Sequence, residues 1–127
     1  MNLQNNTAPE KPRQRYKIVA INENRDFKRV YAKGKSYVSP VLVTYICKNK
    51  GHHLRIGITA SKKIGNAVKR NRSRRVIRAA FQSFLPRMDK NRNLDLIFVA
   101  RAKTPFVKST VVQKAMAHHL KEAGLIK

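Results

Sequence analysis

The chain has 127 residues, of which 29 are Lys or Arg and 6 are Asp or Glu, so its formal net charge is +23. With 42% hydrophobic residues it can build a core, which excludes a disordered polycation, and a domain of this length buries roughly two thirds of its unfolded surface. No run approaches the ~18 apolar residues of a membrane span, and the first residues lack a secretion signal, so the expectation is one cytoplasmic domain that meets a polyanion.

Residues 1–15 are polar, carry Pro9 and Pro12 and show no period, which reads as a flexible basic arm ahead of a single domain over 16–127. A short helix follows to about Ala32, capped by Asn22 or Asn24, with Phe27, Val30 and Tyr31 at i, i+3, i+4 and Gly34 as its stop. Ser36 to Val38 reads as a short strand. Val41 to Cys47 is β-branched and aromatic, with Val41, Val43, Tyr45 and Cys47 on one face and Leu42, Thr44 and Ile46 on the other. Lys48 to His53, with Gly51, reads as a hairpin turn into a third strand in which Leu54, Ile56 and Ile58 alternate with Arg55, Gly57 and Thr59.

The most periodic segment runs from Asn66 to about Leu85 and is closed by Pro86. As a helix it gathers Val76, Ile77, Ala80, Phe81 and Phe84 on an arc of roughly 140°, with Asn71, Arg72, Arg75 and Arg78 on an opposite arc of roughly 120°. Leu94 to Ala100 is nearly continuous apolar sequence, the pattern of a central strand covered on both faces, and Ser109 to Ala123 makes a final helix before Gly124. The order α-β-β-β-α-β-α fits a single α+β domain with helices packed on a mainly antiparallel four-stranded sheet.

Charge placement narrows the function. Between Phe27 and Met88 there are 16 Lys or Arg and no acid, so that region cannot neutralise itself internally. Its densest part holds Lys62, Lys63, Lys69, Arg70, Arg72, Arg74, Arg75 and Arg78, with Asn71 among them as a neutral donor and acceptor. Guanidinium forks hold phosphates through paired hydrogen bonds, and a helix fixes several at a set spacing, whereas a merely solvated helix interleaves Glu with Lys. Nucleic acid is the expected partner.

In this stretch the sequence resembles the bacterial ribonuclease P protein subunit: Arg70-Asn71-Arg72, then Arg74, Arg75 and Arg78, follow a Ser-Lys-Lys-Ile-Gly-Asn lead-in. Asp26-Phe27, Val30-Tyr31, Gly34-Lys35-Ser36, Tyr45 and Ala100-Arg101 extend the likeness over roughly Asn22 to Leu120. The resemblance implies a left-handed βαβ crossover carrying the basic helix, against the usual hand. It also implies a ribonucleoprotein that removes the 5′ leader from precursor tRNA. The RNA subunit would hold the catalytic Mg²⁺, and the protein itself would bind no cofactor. The partners implied are that RNA and precursor tRNA, with no membrane and no DNA.

Phe27 and Tyr31 lie one helical turn apart and Tyr45 sits on a strand. By themselves such aromatics read first as core; the resemblance implies instead that they line a cleft for the single-stranded leader, with Lys28, Arg29 and Lys35 following its phosphates. Stacking supplies the reason, since every base has a π face. A ribosomal or other structural RNA-binding protein is the rival, because it needs the basic helix but no open aromatic groove. No helix-turn-helix or zipper supports DNA binding.

The remaining polar residues point away from catalysis. Cys47 stands alone in an apolar run and reads as a buried, inert thiol. His52-His53 and His118-His119 lack zinc spacing, the acids are scattered, and Ser61 and Ser73 have no evident base.

Overall fold

A computed structural model describes residues 19–127. The expected arm over residues 1–15 therefore lies outside the described residues. The elements are β1 (Val19–Ala20), α1 (Asn24–Lys33), β2 (Lys35–Ser39), β3 (Leu42–Lys48), β4 (Arg55–Thr59), α2 (Ala67–Gln82), β5 (Leu94–Ala100) and α3 (Ser109–Glu122). They form one α+β domain on a sheet of order β1-β4-β5-β3-β2.

The expected sheet is corrected in strand count. It has five strands, with β1 and β5 both parallel to β4, and β3 antiparallel to both β5 and β2. The added strand is two residues long, too short to show a period, and pairs Val19 with Arg55 and Ala20 with Ile56. The expected hairpin between Val41–Cys47 and Leu54–Thr59 is also absent. β5 inserts between these strands, so residues 49–54 form a loop across its end rather than a tight turn. Asn49 holds that loop: its amide donates to the His53 carbonyl (2.8 Å), its side-chain oxygen accepts from His52 N–H (3.0 Å), and its own N–H donates to the Asn93 carbonyl (3.0 Å).

Helix limits shift for local reasons. Glu23, rather than Asn22 or Asn24, is the N-cap of α1 and makes no side-chain cap bond; its carboxylate pairs with Arg25 at 2.9 Å. Helix α2 stops at Gln82, short of Leu85, where the Ser83 hydroxyl donates to the Ala80 carbonyl (2.7 Å) and Pro86 enters a following 3-10 turn.

Strand register assigns the faces, because paired residues project to the same side. Ile46, Leu96 and Ile56 form one row and Thr44, Phe98 and Ile58 the next, both facing α2 and α3. Here lies the main core, where Ile77, Phe81, Met116 and Leu120 are buried and Phe81 meets Phe98 with ring centroids 5.3 Å apart. His119 is buried there too and shares a 2.8 Å hydrogen bond with Thr44 Oγ1. Val41, expected on the other face, joins this core just before its strand begins. The opposite face carries Tyr45, Ile97 and Gly57 in one row and Cys47, Asp95 and Arg55 in the next. Ile21 and Val30, around α1, close a smaller core over Ile97.

Candidate nucleic-acid interface

The lead-in to α2 is a chain of local devices. Ser61 Oγ accepts from Lys63 N–H (3.3 Å), Ile64 anchors the 3-10 turn Lys62–Ile64 in the core, and Asn66 caps α2 by accepting from Lys69 N–H (3.0 Å). Gly65 has φ +136°, a conformation that side chains rarely adopt, and a Cβ there would fall 2.8 Å from Lys69 Cδ. Ser61, Ile64, Gly65 and Asn66 thus set where the basic helix begins.

Along α2, Ile77, Ala80 and Phe81 fill the core, while Lys69, Asn71, Arg72, Arg75 and Arg78 are exposed, as are Lys62 and Lys63 in the preceding turn. Arg70 and Arg74 are half-buried. Among the described residues, none of these bases pairs with an acid. Arg74 donates to Asn71 Oδ1 (3.1 Å), and Arg72 Nε donates to the Pro105 carbonyl (2.6 Å), which joins the helix to the turn before α3. Ser73, buried beneath them, donates to the Lys69 carbonyl (2.9 Å).

Across the sheet the three aromatics come together. Ring centroids are 6.4 Å apart for Phe27 and Tyr31, and 5.0 Å for Tyr31 and Tyr45, the latter edge to face. Phe27 and Tyr45 are half-buried against the smaller core, whereas Tyr31 is 41% exposed. Phe27 can approach the sheet this closely because residue 57 is Gly: a Cβ would fall 2.8 Å from Phe27 Cε1. The group is therefore core at its base and open at Tyr31.

Beside it, between α1 and the loop after β3, lies a cleft of about 440 Å³ lined by Arg29, Lys33, Lys48, Lys50, His52 and Arg55, with Asp26 and Cys47. Beneath the lining residues Arg29, Asn49 and Arg55 lies Asp95, fully buried on β5. Asp95 Oδ1 accepts from Arg55 Nε and Asn49 Nδ2, both at 2.8 Å; Oδ2 accepts from Arg55 Nη2 at 2.8 Å and from Arg29 Nη2. Asp26 stands 3.6 Å from Arg55 and 3.8 Å from Arg29. Burial pushes the Asp95 carboxyl up, but hydrogen bonds from Arg55 and Asn49 and the charge of Arg55 outweigh it and hold it below its ordinary value. The same hydrogen bond raises the Arg55 guanidinium against its own desolvation.

This network revises four expectations. The acid-free region is not wholly unneutralised, because Arg29 and Arg55 meet carboxylates from outside it. Arg29, expected to track leader phosphates, is engaged by Asp95 and the Lys48 carbonyl (2.9 Å). Lys35 pairs in register with Ile46 and stacks on Tyr37, so it sits on the other face of the sheet from the aromatic trio. Cys47 is half-buried at the cleft edge, 3.4 Å from Arg29 Nη1, rather than sealed in the core. Lys28 is exposed one turn before Tyr31. Lys33, Lys48, Lys50 and Arg55 were not singled out in the sequence. One signal pointed there: Asp95 inside an apolar run must find cationic partners if both faces of its strand are covered.

Residues 17–124 match the family model for ribonuclease P. The chain belongs to the ribonuclease P protein family. A ribonuclease P protein component of Clostridium botulinum (strain Loch Maree / Type A3) is 38% identical over 105 residues, covering 83% of this chain and 94% of that protein. A solved Staphylococcus aureus RNase P protein superposes with a TM-score of 0.74 at 37% identity, covering 87% of this chain and all of that one (100%). A Thermotoga maritima RNase P protein gives 0.69 at 25% identity, with 81% and 96% covered. Membership of a ribonuclease P protein family associates the chain with an endoribonuclease of tRNA processing, as a protein component of that ribonucleoprotein. No helix of the described residues is long and apolar enough to cross a membrane, and no three His, Cys, Asp or Glu side chains among them converge as metal ligands.

Proposed function

We propose that the protein binds the RNA subunit of ribonuclease P through the exposed arc of α2 and the 5′ leader of precursor tRNA across the opposite face of the sheet. The observation that carries this reading is the arc itself: Lys62, Lys63, Lys69, Arg75 and Arg78 are exposed and have no acid partner among the described residues. Phosphate is the partner such an array lacks. On the other face, Tyr31 offers an exposed ring backed by Phe27 and Tyr45, and the neighbouring cleft offers Lys33, Lys48 and Lys50 in place of Lys35. A single strand has bases for the first and phosphates for the second. In this reading hydrolysis belongs to the RNA subunit and its Mg²⁺, in the cytoplasm, while the protein screens charge and holds the leader.

The test is the salt dependence of binding to ribonuclease P RNA. Replacing Lys63, Arg75 and Arg78 together by Ala should flatten the plot of log K against log salt by roughly 2 to 3 units, at 0.7–0.9 per lost phosphate contact. An unchanged slope in the folded triple variant refutes the reading. Arg72 is left intact because its bond to Pro105 supports the fold.

A further inference from the structure

Phe106 is 69% exposed, yet the backbone on which it sits is fixed from several directions. It ends the 3-10 turn Thr104–Phe106, in which Thr104 and Pro105 are buried. Thr104 Oγ1 accepts from Arg101 N–H and donates to the Val41 carbonyl, both at 2.8 Å. Arg72 Nε binds the Pro105 carbonyl at 2.6 Å, and Phe106 N–H donates to the Lys103 carbonyl at 3.0 Å. The ring contributes little to either core and is held out beside α2, with Lys69 Nζ over it at 5.3 Å from the centroid. Next to it, a shallow groove of about 580 Å³ runs between α2 and the start of α3, lined by Arg72, Arg75 and Lys108.

Resting on the reading of α2 as an RNA-binding helix, we propose that Phe106 is a stacking platform for an unpaired base of the ribonuclease P RNA subunit, whose flanking phosphates follow the Arg72–Arg75–Lys108 groove. Charge selects this occupant. The sequence has no Asp or Glu from Leu96 to Lys121, and the bases around the ring have no acid partners among the described residues. A protein partner would have to be acidic and also supply an apolar cap. An unstacked nucleotide brings both requirements in one unit, an anionic phosphate and a planar π face. The aromatic platform thus turns a surface that reads only backbone charge into one that distinguishes an unpaired site from continuous duplex.

The experiment uses the full chain and ribonuclease P RNA. Phe106→Ala should weaken binding by roughly fivefold to a hundredfold, the range for losing one stacked base. Phe106→Leu should lose as much, while Phe106→Tyr should bind as the unaltered chain does. The salt slope should stay unchanged in all three, since no cation is removed. The chain has no Trp, so Phe106→Trp introduces a single indole reporter whose emission a stacked base should quench. Wild-type affinity in folded Phe106→Ala, or unquenched emission from RNA-bound Phe106→Trp, overturns the proposal while leaving the role of α2 standing. A reporter that responds to protein concentration alone assigns the ring to contacts between copies and also overturns it. Failure of the unaltered chain to bind the RNA removes the reading of α2 and this proposal with it.

Discussion

Asp95 accepts four side-chain hydrogen bonds from three residues on three different segments, with no exposure to water. Its removal leaves Arg55, whose side chain is 13% exposed, facing Arg29 with only the longer contacts of Asp26, at 3.6 and 3.8 Å, to offset their charges. Breaking such a buried pair costs about 3–5 kcal/mol, with the lower end fitting the partial exposure of Arg29. Asp95→Asn should therefore destabilise the fold by about 3 kcal/mol, read by urea titration at neutral pH. The pH dependence has a fixed sign. Because the folded carboxyl titrates below its unfolded value of 3.8, the unfolded chain binds more protons in that window. The stabilisation is complete above that value and is lost as pH falls through the lower folded one. Wild-type stability should drop on acidification below about pH 4, and the drop should shrink in Asp95→Asn. Equal acid sensitivity in both proteins would show that other carboxylates dominate.

At the scale of elements, the Phe27 ring is one of the contacts by which α1 meets the sheet, and Gly57 decides how closely that ring approaches. A methyl at that position would sit 2.8 Å from Phe27 Cε1 and 3.3 Å from Ile97 Cγ1, so the ring must move. Overpacking of this kind costs about 1–3 kcal/mol. Gly57→Ala should destabilise by that amount. In the assembled holoenzyme it should also weaken binding of leader-bearing precursor tRNA while mature tRNA binds as before. Adding Phe27→Leu should recover part of the stability but not the leader affinity. A loss shared equally by both tRNAs would mean that the aromatic group is only core. The sequence made much of this legible. The alternation in β3 and β4 set which residues share a face, and the 3.6-residue period of α2 separated Ile77 and Phe81 from Arg75 and Arg78. What it hid was strand order, because nothing local in residues 48–54 tells a tight hairpin from a loop spanning another strand. The misplacement of Lys35 came from the same source: adjacency to α1 in sequence says nothing about the side of a strand until register is known. Arg29 and Arg55 were hidden differently, since their partner Asp95 lies at least 40 positions away in the chain.

For the molecule as a whole, the two candidate surfaces lie on opposite sides of a single sheet, with α2 and α3 on one side and α1 on the other. Groups separated by a packed sheet share no partners, and their free energies add to within about 0.3–0.5 kcal/mol. Tyr31→Ala and Arg75→Ala, combined in the holoenzyme, should reduce affinity for leader-bearing precursor tRNA by the product of their separate factors. A combined effect well outside that product would show that the faces communicate through the sheet. The central position of β5 has another consequence, for the order in which the chain can be completed. Until residues 94–100 emerge from synthesis, β3 and β4 have no neighbour between them, and Arg29 and Arg55 have no buried anion. One late strand delivers both. Such long-range pairing makes closure slow and leaves hydrogen-bonding edges open meanwhile. The same positive charge that suits the finished fold to RNA is, during that interval, what keeps one unfinished chain from pairing with the next.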